Sequence, residues 1–98
     1  MDTPRSAITD DMTVCIICQR PREQIHHIFR GINRDNSTKY GYLLPLCAEH
    51  HTGPAGIHSN KQMDLFYRRK AQDHFEQTHT REDFIRVFGR NYKEDIDI

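Results

Sequence analysis

Two short pairs of metal-ligand residues restrict what this chain can fold into more than any other feature of its sequence. Cys15 and Cys18 are separated by two residues, and Cys47 and His50 repeat that spacing further along the chain. Two thiols in a tight turn can bind one ion, and residues three apart on a helical turn share a face. Together the pairs supply the three-cysteine, one-histidine ligand set of a closed, tetrahedral zinc site.

A structural zinc ion would also compensate for a small core. The chain has 98 residues, of which 36% are hydrophobic and 29% are charged. So small a domain needs an additional stabilising element, and zinc binding contributes directly to folding. Three cysteines cannot close into disulfides without leaving one thiol over. A redox-active pair at Cys15 and Cys18 is the alternative, but the chain lacks the alternating strands and helices that carry such a pair.

Charge and hydropathy restrict the partners. No apolar run is long enough for a signal peptide or a membrane span, which predicts a cytoplasmic protein without a membrane partner. The formal net charge is zero, yet residues 14–93 contain 13 Lys and Arg against 8 Asp and Glu. The body of the protein is therefore mildly basic, which is compatible with phosphate binding without requiring it.

The sequence predicts a small α+β domain. Strands are expected at residues 25–29 and 42–46, with a polar loop over residues 31–41 between them. A short helix begins near Cys47, and Gly53 ends it quickly. Two packing helices follow from Gln62 and Thr80. Their expected buried residues are Met63, Phe66, Tyr67, Ala71 and Phe75 in the first and Phe84, Ile85 and Phe88 in the second.

Further sequence patterns predict the boundaries of the folded domain and of the last helix. Residues 1–13 show no periodicity and are predicted to be a flexible arm, residues 14–92 the folded domain, and residues 93–98 an acidic tail. Thr80 and Asp83 form a predicted capping box that starts the last helix, which Gly89 stops.

Histidines flank the predicted zinc site. Adjacent residues on a strand point to opposite faces, so His26 and His27 are expected to have different tasks. His51 lies about 100° around a helix from His50 and would face elsewhere. His58 follows a Gly-Pro break, so spacing cannot place it. Imidazoles that leave coordination positions open suit a catalytic metal, and a histidine beside that metal is a natural general base.

Several motifs together resemble a known family. They are Cys15-Ile16-Ile17-Cys18, His26-His27-Ile28-Phe29, Tyr40-Gly41, Leu46-Cys47-Ala48-Glu49-His50-His51, Gly56-Ile57-His58 and Phe88-Gly89-Arg90-Asn91-Tyr92. They resemble the HNH nucleases, and more closely the small phage-encoded HNH-like proteins, including the Ref-type recombination-enhancement nucleases. The resemblance implies a zinc-stabilised ββα-metal (treble-clef-like) core with two C-terminal packing helices.

The resemblance also implies a role for individual side chains. His26 resembles the first ligand of a catalytic metal, His27 the general base that activates water, and His51 the last ligand, with His58 as a third. The structural zinc ligands fall at Cys15, Cys18, Cys47 and His50. The asparagine in the middle of the family motif would lie near Tyr42, so its usual task of holding the base histidine would pass to Asn33 or another loop group.

The reaction that the resemblance implies is metal-assisted hydrolysis of a phosphodiester bond in DNA. The cofactors are a structural Zn²⁺ and a catalytic Mg²⁺, Mn²⁺, Zn²⁺ or Ni²⁺. Arg30, Arg34 and Lys39 lie on the loop beside the site and would bind phosphates. The implied partners are DNA, including single strands or recombination intermediates, and a recombinase filament, in the bacterial host cytoplasm if the protein is phage-encoded. The alternatives are a zinc-dependent nucleic-acid-binding or recombination accessory module without catalysis, and a purely structural or protein-partner role.

Overall fold

The computed structural model describes residues 5–93, which contain a two-stranded sheet and four helices. The antiparallel strands are β1 (Gln24–His27) and β2 (Leu43–Leu46). The helices are α1 (Arg34–Lys39), α2 (Ala48–Thr52), α3 (Lys61–Phe75) and α4 (Arg81–Phe88), with 3₁₀ turns at Gly31–Asn33 and Ile57–Ser59. The predicted small α+β class is confirmed. Residues 1–4 of the predicted arm and residues 94–98 of the predicted acidic tail lie outside the described residues.

The connection between the two strands differs from the predicted loop, because it contains a 3₁₀ turn and α1. Its sequence is polar and has no apolar periodicity, so tertiary hydrogen bonds hold it. The buried Ser37 hydroxyl donates to the carbonyl of Tyr42 at 2.6 Å and accepts from the backbone N–H of Phe29 at 3.2 Å. The side-chain amide of Asn36 donates to the carbonyl of Val87 at 3.3 Å. Short polar side chains thus fix α1 to the residue before β2 and to α4.

The N-terminal segment also departs from expectation. Sequence predicts a flexible arm over residues 1–13, but several of the described residues 5–13 contact the rest of the domain. The Ser6 hydroxyl donates to the carbonyl of Leu43 at 2.7 Å. Met12 is buried. The segment is therefore part of the fold, although its polar sequence has no helical or strand period that could reveal this.

An aromatic core packs the sheet against the two long helices. Phe29 follows β1, and its ring lies 5.8 Å from that of Phe84 and 4.3 Å from that of Phe88, both on α4. Phe75 of α3 lies 5.5 Å from Phe84. All four side chains are buried, and full burial of such a ring contributes about 1.5–3 kcal/mol. The core thus joins β1 to both C-terminal helices.

The C-terminal helices follow most of their predicted pattern. The Thr80 hydroxyl accepts from the N–H of Asp83 at 3.0 Å, and the Asp83 carboxylate accepts from the N–H of Thr80, which confirms the capping box. Gly89 ends α4 in the left-handed region, at φ +93°. Two predicted core residues are wrong: Phe66 is 55% exposed and Ile85 is 38% exposed. No helix among residues 5–93 is long and apolar enough to cross a membrane.

Candidate metal centres

Cys15, Cys18, Cys47 and His50 form one cluster, which we call the thiolate cluster. The first two lie in a tight turn, where the N–H of Cys15 donates to the carbonyl of Arg20 at 2.7 Å. Cys47 is the N-cap residue of α2, so that His50 follows one helical turn later. The backbone of α2 therefore presents one thiol and one imidazole to the turn that carries the other two thiols.

The spacing of the four ligand atoms fits a tetrahedral ion. Sγ of Cys18 lies 3.7 Å from Sγ of Cys47, and Nδ1 of His50 lies 3.2 Å from Sγ of Cys47 and 3.8 Å from Sγ of Cys15. Zinc with bonds of about 2.3 Å to sulfur and 2.0 Å to nitrogen separates two sulfurs by roughly 3.8 Å and a sulfur from a nitrogen by roughly 3.5 Å. The three thiols are free. The predicted set therefore meets as a cluster that could hold a metal such as zinc.

Arg20 is a neighbour of this cluster that the sequence did not reveal. Its Nε donates to Sγ of Cys18 at 3.3 Å, and its Nη2 lies 2.6 Å from a carboxylate oxygen of Glu49. The hydrogen bond from Arg20 is the main cause that lowers the pKa of the Cys18 thiol to about 6. Burial instead raises the pKa of the Cys47 thiol. Arg20 thus favours a thiolate at Cys18, the form that binds metal.

His26, His51 and His58 form a second cluster, which we call the imidazole cluster. They come from β1, α2 and the second 3₁₀ turn, and their ring centroids lie 4.7–5.3 Å apart. Nε2 of His51 and Nε2 of His58 are 3.2 Å apart, close to the roughly 3.3 Å that two imidazole ligands of a tetrahedral zinc require. The three ligand atoms lie within 4.8 Å of one another. The donor set therefore fits a divalent ion.

The return of the chain to this cluster depends on Gly56. A Cβ at this position would lie 2.8 Å from the carbonyl of His51, so a larger residue would force the turn open. Glycine thus allows the chain to pass closely over α2 and bring His58 beside His51. This is the contact that residue spacing alone could not predict.

Burial favours the neutral ring at two members of the imidazole cluster. His26 is 1% exposed, and its pKa falls to about 3, first because of burial and then because of the positive charges of Arg30, His51 and His58. Burial also lowers the pKa of His51. A lowered pKa favours the neutral ring at His26 and at His51, and this is the state in which histidine binds metal.

His27 lies outside the imidazole cluster, as the alternation of a strand predicts. Its ring is half-buried, and its Nε2 lies 3.0 Å from the hydroxyl oxygen of Thr38. Burial is the main cause that lowers the pKa of His27, and the positive charge of Arg34 adds to it, while Asp35 acts in the opposite direction.

The imidazole cluster and His27 nevertheless border one cavity, the histidine cleft, of about 360 Å³. Of the three predicted phosphate-binding residues, Arg30 and Arg34 line this cleft. Lys39 lines a neighbouring hollow of about 390 Å³. Thr38 borders that second hollow while it contacts His27, so the two cavities adjoin at this pair.

Arg30 is oriented by a residue that sequence reasoning missed. Two of its guanidinium nitrogens lie 3.2 and 3.3 Å from the two carboxylate oxygens of Asp64, in the first turn of α3. The same guanidinium lies 3.3 Å from Nε2 of His26. Asp64 also pairs with Arg68 four residues later, and this helical spacing was the one signal for it in the sequence.

The expected substitute for the missing asparagine is not Asn33. Its side-chain amide donates to the carbonyl of Phe88 at 3.1 Å and so helps to hold α4. Tyr42, near which the motif asparagine was expected, is buried, and its hydroxyl lies 3.1 Å from Nδ1 of His74. Thr38, on α1, is the residue whose side chain contacts His27.

Comparison of the chain with protein-family models, curated proteins and solved structures finds no match. What the protein does is therefore inferred from its two ligand clusters and the histidine cleft.

Proposed function

We propose that the protein is a metal-dependent DNA endonuclease of the HNH type, built on a zinc-stabilised, treble-clef-like ββα-metal core. One observation carries the proposal. Three imidazoles spaced for a divalent ion and a fourth histidine outside that set border the same cleft. A purely structural metal site is closed and has no use for a separate imidazole beside it, whereas a hydrolytic site needs both.

The two clusters have different roles, one structural and one catalytic. The thiolate cluster takes a structural zinc, which ties the turn before β1 to the start of α2. That link positions His26 on the strand relative to His51 on the helix. His26, His51 and His58 would hold a divalent ion, Mg²⁺, Mn²⁺, Zn²⁺ or Ni²⁺, which would supply positive charge for the phosphate and the leaving oxygen.

His27 acts as the general base of the proposed reaction. Its lowered pKa keeps the imidazole neutral at neutral pH, so one ring nitrogen can accept a proton. That nitrogen takes a proton from a water molecule, whose oxygen attacks phosphorus while the bond to the leaving oxygen breaks. Half-burial of the ring limits its rotation and favours one orientation toward the cleft.

The basic border of the cleft supports DNA as the substrate. Arg30 and Arg34 line it, and the bidentate pair with Asp64 holds the Arg30 guanidinium in one orientation before any phosphate arrives. Lys39, at the adjoining hollow, extends the contacts with phosphates along the DNA strand. We place the activity in phage DNA processing or recombination, on single-stranded DNA or recombination intermediates, with a recombinase filament as a candidate partner.

The alternative function is a zinc-dependent nucleic-acid-binding module without catalysis. It is favoured by Tyr42, which lies near the expected position of the motif asparagine and is buried against His74. The two functions differ in metal content and in cleavage, so one experiment separates them.

The test is a cleavage assay on single-stranded and duplex DNA with each of the four candidate metals, together with elemental analysis. We expect metal-dependent cutting by the wild-type chain and two bound metals per chain. His27→Ala should reduce the rate by about 10²–10⁴-fold because a general base contributes that much, while both metals and the fold remain. His79→Ala, at an exposed histidine away from the clusters, is the matched control and should cut normally. Undiminished cutting by His27→Ala would contradict the assignment of the base, and one zinc without any cleavage would favour the binding module.

A further inference from the structure

A base histidine works only if the correct ring nitrogen carries the lone pair. Neutral imidazole has its proton on either Nδ1 or Nε2, and a hydrogen-bond partner on one nitrogen decides which. His27 contacts Thr38 through Nε2, at 3.0 Å. The direction of this hydrogen bond therefore determines whether Nδ1 can accept a proton.

The Thr38 hydroxyl has one proton, and it donates that proton to a partner other than His27. Its oxygen lies 3.3 Å from the backbone carbonyl of Arg34, one helical turn earlier. A carbonyl oxygen can only accept, so the hydroxyl donates to it in the back-bonded arrangement common for threonine in helices. The hydroxyl oxygen is then left as an acceptor for His27, whose Nε2 must carry the proton.

Helix α1 holds this hydroxyl in place. Ser37, next to Thr38, is buried and bonded to the backbone of both Phe29 and Tyr42. Asn36 bonds to the carbonyl of Val87. A short helix fixed at two neighbouring positions is a rigid support, and a rigid support is what a catalytic side chain requires for its orientation.

We infer that Thr38 is the positioning residue of the reaction, since it fixes the Nε2–H tautomer of His27 and leaves Nδ1 as the nitrogen that accepts the proton from water. This inference rests on the proposed role of His27 as the base. With the opposite hydrogen-bond direction, Nδ1 would carry the proton and Nε2 would be occupied by the threonine, so neither nitrogen could act. Thr38 therefore performs the orienting task that the family resemblance gave to Asn33 or another group in the segment 31–41.

The direct test measures the tautomer without any cleavage. Long-range ¹H–¹⁵N correlation spectra of the zinc-loaded, ¹⁵N-labelled full chain near neutral pH distinguish the two protonated nitrogens, and the His27→Ala spectrum identifies the His27 signals. We expect the Nε2–H form in the wild type and in Thr38→Ser, which keeps the hydroxyl. In Thr38→Val we expect a mixture of both tautomers. An Nδ1–H form in the wild type, or an unchanged tautomer in a folded Thr38→Val, would overturn the inference.

Kinetics add a second readout. Thr38→Val should lower kcat by about 10- to 100-fold, part of the factor that a general base supplies, with KM within about twofold of wild type. Thr38→Ser should restore kcat. Thr78→Val is the matched control, because the Thr78 hydroxyl also bonds a histidine, at 3.0 Å from Nδ1 of His79, but outside the proposed site. A wild-type chain that cuts no DNA would defeat the proposed function, and the spectra would still decide whether Thr38 orients His27.

Discussion

Loss of one ligand from each cluster should affect the stability of the fold to very different extents. Cys47 is 2% exposed and joins α2 to the turn of Cys15 and Cys18, so its zinc would connect distant parts of the chain. His58 is exposed, and its contacts are with the other two imidazoles at the border of the cleft. We expect Cys47→Ser to destabilise the fold and His58→Ala to leave it intact while it releases the second metal.

The expected loss of stability in Cys47→Ser follows from the number of residues that would bind the zinc. Structural zinc in small domains binds with an apparent free energy of about 10–16 kcal/mol, and one of four ligands accounts for roughly 2.5–4 kcal/mol of it. A serine hydroxyl buried at this position without its metal costs about 1–3 kcal/mol more. In a domain of this size, 1 kcal/mol shifts Tm by roughly 4–8 °C. The Tm of Cys47→Ser should therefore fall by at least about 15 °C.

Thermal unfolding followed by circular dichroism, with elemental analysis of the same samples, measures both effects. A strong chelator should lower the Tm of the wild type at least as far as Cys47→Ser does. In zinc-loaded samples without added second metal, His58→Ala should melt within about 2 °C of the wild type, because an exposed substitution costs less than about 0.5 kcal/mol. A Cys47→Ser protein that retains its zinc and melts with the wild type would refute the structural role of the thiolate cluster.

Two further predictions concern the turn before His58 and the pH dependence of stability. Gly56→Ala places a Cβ 2.8 Å from the His51 carbonyl, so we expect the turn to open and the second metal to bind at least about tenfold more weakly. Titration calorimetry with Mn²⁺ measures this affinity. An unchanged affinity would show that the turn does not position His58. A hydrogen bond from Arg81 is the main cause that lowers the pKa of Glu76 below its ordinary 4.5, so its contribution to stability is complete above pH 4.5 and is lost as the pH falls through the lowered pKa. Urea unfolding at neutral and acidic pH should show a smaller acid loss of stability for Glu76→Gln than for the wild type, and an equal loss would contradict the assignment.

Features that depend on local spacing could be predicted from the sequence. The pairs Cys15 with Cys18 and Cys47 with His50 each need only one turn of backbone to converge, and the capping box of α4 spans four residues. The position of His27 outside the cluster that contains His26 follows from the alternation of a strand. In each case a few neighbouring residues determine the geometry, so it can be predicted from the sequence.

Features that depend on tertiary contacts could not be predicted. Helix α1 has no apolar face, and its order comes from Ser37 and Asn36 bonding to backbone far away in sequence. The contact of Asp64 with Arg30 exists only because α3 packs beside Arg30. The Thr38 hydroxyl reaches His27 only because α1 is a helix, and the prediction of a loop at this position concealed the contact.

The architecture of α2 explains why the two clusters occur together. His50 and His51 are adjacent on one short helix, about 100° apart around its axis, so the helix presents one ring to each cluster. A helix of five residues is too short to be stable alone, so its position depends on what holds its ends. A metal on Cys47 and His50 would therefore also fix where His51 lies relative to His26. It follows that loss of the structural zinc should weaken binding of the second metal, whereas loss of the second metal should leave the zinc in place.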